Sequence, residues 1–305
     1  MSKKLIGISI GGYQAKYGDR RALEIAKEIG ADGVDLTLCA PFLSDEATAI
    51  YAKGADAVVA YFTELKRHAD ELGLVVAQTH GRVTGFKNIK EEDDRLIEEA
   101  KLDILATKAL GAKHCVVHTT TTIFMGPNAP RSLMHKLNYD MYARILPFAI
   151  EQDIIIDTET FGDATGLDCV DFFGDIREFL MGYNKVACTK GFADHFKICL
   201  DPGHTNKATR FGNPSAGDTA RMLGKNITTL HLNDNDTLTD QHKTPGTGCI
   251  DWKDLFDALD EIGYDGWYNL EVDLNHFGLG FEEEEAAFSI KVLRQMLRTR
   301  YGKDA

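Results

Sequence analysis

Six short apolar runs in this 305-residue chain end on, or close to, a group that can hold a cation or move a proton. LVVAQTH ends at His80, HCVVHT carries His118, IIIDTE ends at Glu159, and FKICLD ends at Asp201 with His204 three residues beyond. ITTLHLN carries His231, and GWYNLEV carries Glu271. A strand covered on both faces cannot leave a carboxylate or imidazole unsatisfied, so each must be paired, ligated or turned toward a cavity. One such group alone reads most simply as a structural ion pair. Six arriving at one rim point to a shared metal or catalytic site. Carboxylate oxygens and neutral imidazoles suit Mn, Mg, Co or Zn, and a Glu, Asp, His, Glu set leaves positions open for substrate oxygens. No thiolate is among them, which argues against a closed structural zinc site.

The elements that must deliver these groups alternate along the whole chain. Strands are expected at 5–11, 33–39, 74–80, 114–119, 154–159, 196–201, 227–233 and 266–272, from apolar runs rich in β-branched residues. Amphipathic helices are expected near 20–30, 51–72, 90–111, 132–151, 170–183, 215–224, 251–263 and 282–300. Asp251 is placed to cap the helix whose apolar face is Leu255, Phe256, Leu259 and Ile262, and Gly263 to end it. Eight βα units in this length match an α/β fold of the (β/α)8 barrel type, in which every loop after a strand lies on the catalytic face. The long connections 81–89, 121–131 and 234–250 belong to that face. No linker divides the chain, so residues 1–305 read as one domain.

Composition weighs against several classes. Lys plus Arg number 34 against 47 Asp plus Glu, and a net charge of -13 opposes binding to a nucleic-acid backbone. No apolar run is long enough to cross a membrane and no signal-peptide core follows Lys3 and Lys4, so a cytoplasmic protein is expected. The six cysteines form no CxxC pair and read as buried free thiols, with Cys115 and Cys199 inert. Gly11-Gly12 reads as a tight turn, and Arg82, Lys207, Arg210 and Lys243 as solvated surface charge. Trp252 and Trp267 read as packing residues.

The segments IIIDTET, CLDPGHTN, TTLHLNDND and PGTGCIDWKDLFDALDEIGYDGWYNLEVD together resemble the sugar isomerase and epimerase superfamily with the xylose-isomerase-like barrel. That superfamily also holds hydroxypyruvate isomerases, ketose 3-epimerases, inosose dehydratases and endonuclease IV. The last segment is the most specific, and the eightfold order extends the similarity over nearly the whole chain. The resemblance implies one divalent metal on Glu159, Asp201, His231 and Glu271, with Glu159 and Glu271 as the acid/base pair and His204 on a substrate hydroxyl. It implies that His80 and His118 line the pocket, positions that bind additional zinc in endonuclease IV, whose extra ligands Asp240 and His242 also match. Thr160 stands where Asn is frequent, and the arginine that ketose 3-epimerases carry between His231 and Gly246 is missing, so that substrate contact falls to His242 or Lys243.

The reaction implied is proton transfer through an enediolate on a small carbohydrate, by an isomerase or epimerase. Loss of a β-hydroxyl from the same intermediate would make a dehydratase or lyase. A zinc phosphodiesterase of the endonuclease IV type is the alternative from another class, and homo-oligomers would fit the superfamily.

Overall fold

The computed structural model describes residues 3–39 and 42–302. Its barrel strands are β1 (Ile6–Ser9), β2 (Gly33–Thr37), β3 (Val75–His80), β4 (His114–Val117), β5 (Ile155–Glu159), β6 (Phe196–Leu200), β7 (Ile227–Leu230) and β8 (Tyr268–Leu270). All eight run parallel in the order β8-β1-β2-β3-β4-β5-β6-β7. The ring closes through Leu232, whose N–H donates to Asn269 O at 2.7 Å while Glu271 N–H donates to Leu232 O at 3.0 Å. This is the (β/α)8 barrel that the alternation of elements predicts. Most strands stop earlier than expected, because the polar residues that close the runs leave the ladder for the mouth. Asp201, for instance, caps the helix Pro202–Ala208, accepting from His204 N–H at 2.8 Å.

The helix Trp252–Ile262 forms as its sequence dictates. Asp251 accepts from Asp254 N–H at 3.0 Å, Leu255 and Leu259 are fully buried, and Gly263 ends the helix in the left-handed region at φ 74. Truncating either leucine would cost about 2–5 kcal/mol. Other expectations need correction. The helix expected at 51–72 starts only at Ala55, after Gly54, and a separate short helix, Asp45–Tyr51, precedes it. The helix expected from 170 begins at Ile176, since Cys169–Val170 pairs with Asp163–Ala164 in a hairpin and Asp175 caps by accepting from Arg177 N–H at 2.8 Å. Gly11-Gly12 opens a helix, Gly11–Tyr17, rather than a simple turn, and a Cβ on Gly11 would lie 2.7 Å from Thr37 Oγ1.

The cysteines and basic residues also divide differently. Cys39, Cys115 and Cys199 are buried, and burial pushes the Cys115 thiol up to about 12, but Cys188 and Cys249 are exposed because they lie at a helix end and in a loop. Arg82 and Lys207 are buried, not solvated, because each meets carboxylates. Arg82 forks onto Asp103 at 2.6 and 2.9 Å, and Lys207 Nζ lies 2.7 Å from Asp163 Oδ1. Among the described residues no helix is long and apolar enough to cross a membrane.

The loop 234–250 is fastened by one buried carboxylate. Asp234 Oδ1 accepts from Asn235 N–H and Ile250 N–H, and Oδ2 from Gly246 N–H and the Trp252 indole at 2.8 Å. Trp252 therefore does more than pack. Removing the acceptor strands four donors, each worth about 1–3 kcal/mol when left unsatisfied. Asp234→Ala is expected to lose at least about 3 kcal/mol in urea denaturation, and Trp252→Phe about 1 kcal/mol. Equal, small losses would show that the loop is held some other way.

Candidate metal centre

Four strand ends converge at the barrel mouth. Glu159, Asp201, His231 and Glu271 each bring one ligand atom within 4.8 Å of the others'. Glu159, Asp201 and His231 are fully buried. His231 Nδ1 lies 3.1 Å from Glu159 Oε1 and 3.4 Å from Glu271 Oε2. Neither Glu159 oxygen and not His231 Nδ1 has a hydrogen-bond partner, although buried polar atoms are nearly always satisfied.

The imidazoles are held in a pattern that fits metal ligation. His231 donates its Nε2–H to Asp35 Oδ2 at 2.8 Å, which makes Nδ1, on the glutamate side, the atom that would ligate a cation. A backbone carbonyl can only accept, so His204 Nδ1 facing Thr160 O at 3.0 Å and His242 Nδ1 facing Glu271 O at 3.0 Å both carry the proton. Their Nε2 atoms then point at Asp240, 3.4 Å and 3.6 Å from its oxygens. His80 Nδ1 lies 3.4 Å from Gly81 O, and its Nε2 faces His118 Nε2 at 3.3 Å. Thr160 also has a place in this arrangement: its hydroxyl accepts from Asp201 N–H at 2.9 Å.

Four further ligand groups overlap the first. Two of them add a pair of imidazoles, His80 and His118 with Glu159 and His204 and His242 with Asp201, while the others are His80, His231 and Glu271, and Glu159, Cys199 and His231. A cavity of about 650 Å³ opens above, lined by Glu159, Glu271, His80, His118, His204 and His242. Asp201 and His231 are not among its lining residues, and of the two candidates for the missing arginine's contact, His242 lines it and Lys243 does not.

The electrostatics follow from burial opposed by neighbours. Burial alone would push the Glu159 carboxyl up, but the His231 and His118 imidazoles outweigh it and hold Glu159 well below the usual carboxylate range. Glu271 goes the other way, raised by burial and by Glu159 beside it. Burial would lower the His231 imidazole, yet the carboxylates of Glu271, Glu159 and Asp35 hold it well above its ordinary value.

Three participants were not expected from the sequence. Asp35 is fully buried in β2 and its Oδ2 accepts from His231, Gln78 and Asn269 side chains. Its signal was a carboxylate inside the apolar run GVDLTLC, in mid-strand rather than at a strand end. Lys207 and Asp163 meet at the cavity wall with nothing in their local sequence to mark the pairing.

The chain matches the family model described as xylose isomerase-like TIM barrel over residues 23–296 and belongs to that family. Solved structures with the same fold include a D-tagatose 3-epimerase-like protein, with TM-score 0.73 and 18% identity over 99% of this chain and 100% of that one. Another is the 3-keto-D-glucoside 4-epimerase YcjR from E. coli, with TM-score 0.69 and 16% identity over 96% of this chain and all of that one. The IolI protein with a bound zinc atom gives TM-score 0.68 and 17% identity, covering 97% of both chains. An uncharacterized protein of Methanocaldococcus jannaschii is 30% identical over 129 residues, 41% of this chain and 42% of that protein.

Asp35→Asn keeps the shape of the His231 contact but removes its charge. Losing such an outer partner typically costs 10–100-fold in metal affinity. The variant is therefore expected to bind Mn or Zn at least about tenfold more weakly in a chelator competition, with an unchanged circular dichroism spectrum. Unaltered affinity would separate Asp35 from the metal site.

Proposed function

We propose that this protein is a divalent-metal-dependent sugar isomerase or epimerase, with Glu159, Asp201, His231 and Glu271 holding one Mn, Mg, Co or Zn ion. One observation carries the reading: of these four residues, only Glu159 and Glu271 also line the cavity. They alone of the set can reach both a cation and a substrate. The orphaned Glu159 oxygens and His231 Nδ1 fit a cation as their missing partner.

When bound, the ion would supply Lewis-acid polarisation of a substrate carbonyl and stabilise negative charge on its oxygen. One glutamate takes the proton from the carbon beside that carbonyl. The first later loses that proton to solvent, and the other delivers one drawn from a substrate hydroxyl or from solvent, to the neighbouring carbon in an isomerase or to the opposite face in an epimerase. His204 and His242 donate to, or accept from, substrate hydroxyls, and His80 and His118 form the wall opposite. Elimination of a β-hydroxyl, the dehydratase or lyase outcome, starts from the same intermediate.

Glu159→Gln and Glu271→Gln are each expected to slow exchange of substrate C–H for solvent deuterium by at least about a hundredfold, read by proton NMR during a metal-supplemented screen of ketoses, aldoses and inososes. Wild-type exchange in either variant would remove that residue from the reaction.

A second reading is favoured by the two flanking ligand groups. Further cations on His80, His118 and Glu159, and on His204 and His242 with Asp240 beside them, would suit hydrolysis of a phosphodiester. The net charge of -13 opposes a nucleic-acid substrate. Metal analysis discriminates: one equivalent per chain supports the sugar enzyme, and three equivalents with cleavage of an abasic duplex support the nuclease.

A further inference from the structure

The cavity that would admit the substrate has a definite lining and a definite size. Six carboxylates line it, Glu159, Asp163, Asp240, Glu271, Asp273 and Glu282, with two ammonium groups, Lys16 and Lys207, and four imidazoles, His80, His118, His204 and His242. Neither ammonium group is free: Lys16 Nζ is 2.8 Å from Glu282 Oε1, and Lys207 Nζ is 2.7 Å from Asp163 and 3.3 Å from Asp240. Lys207 has 2% of its side chain exposed, and the nearby Arg210 is itself committed to Asp163 at 2.9 Å. Among the described lining residues there is no arginine. A phosphate carrying about -1.5 to -2 charges would have to strip a carboxylate from its cation to be held here.

The volume exceeds what one sugar ring fills. At an upper bound of about 30 Å³ per heavy atom, the share of a water in the liquid, a hexose of twelve heavy atoms needs at most about 360 Å³. The cavity offers about 650 Å³. The floor is polar, but the rim is not: Phe42 and Ile123 are each 44% exposed, and Val83 and Leu274 are half-buried beside the same space. Single exposed apolar residues need no partner, whereas four around one concave rim mark a contact surface.

Resting on the carbohydrate reading above, we infer that the substrate is an uncharged keto-sugar carried as a glycoside. The keto ring sits on the floor between the glutamates, and the second ring or aryl group lies against Phe42, Ile123, Val83 and Leu274. Phosphorylated sugars are disfavoured because both ammonium groups of the cavity are already held by carboxylates.

The test uses the metal-loaded full-length protein with its metal content measured on the same sample. On the 3-keto-glucose and 3-keto-galactose frameworks, calorimetry compares the free sugar, its phenyl β-glycoside and its 6-phosphate. The glycoside is expected to bind at least tenfold more tightly than the free sugar, and the 6-phosphate at least tenfold more weakly. The double variant Phe42→Ser with Ile123→Ser is expected to lose at least fivefold more affinity for the glycoside than for the free sugar. Tighter binding of the phosphate, equal binding of glycoside and free sugar, no binding of any probe, or a double variant that weakens both equally overturns the inference. Solvent-deuterium exchange in the wider sugar screen judges the isomerase reading separately: exchange there with no glycoside preference overturns only the inference, and no exchange with any sugar overturns the reaction.

Discussion

A fully buried glutamate with no hydrogen-bond partner for either oxygen is the constraint around which this molecule is arranged. Glu159 sits at the end of a barrel strand, encircled by His80, His118, His204 and His231 at 2.9–3.4 Å. Taking a carboxylate out of water costs several kcal/mol even after the protein relaxes. The imidazoles around it offset that cost in the structure described, and a cation bound there would offset it further. Either way the site is organised by charge compensation rather than by packing.

The barrel makes such a cluster affordable in structural terms by dividing labour along each strand. Apolar residues such as Ile156, Ile198 and Leu230 are fully buried in the hydrophobic core, while the residues just beyond the ladder turn to the mouth. Outer partners then fix what the ladder no longer holds. Asp35 orients His231, Thr160 holds both Asp201 and His204, and Asp234 anchors the loop that carries Asp240 and His242. Each of these is a short polar side chain whose bonds reach across strands, so the site is rigid where a loop-built site would not be.

Much of this was legible in the linear sequence, for a physical reason. A charged residue that closes an apolar run breaks the local pattern, and Glu159, Asp201, His231 and Glu271 all did so in consecutive units. The eight strands and their order were legible for the same reason that parallel barrels are, since both faces of each strand are covered. What escaped was of two kinds. Helices of seven residues or fewer, such as Pro202–Ala208, are too short for a periodic signal, and its Pro-Gly start resembles a turn. Pairings between distant residues left no local trace: Lys207 meets Asp163, and Arg82 meets Asp103, so both basic residues read as surface charge until folded.

The central claim is that the four strand-end groups surround one cation. Anomalous diffraction from crystals of the Mn-loaded protein tests it directly. A single peak within bonding distance of Glu159, Asp201, His231 and Glu271 is the result this account predicts. A peak elsewhere, or none at those four residues under saturating Mn, would contradict it.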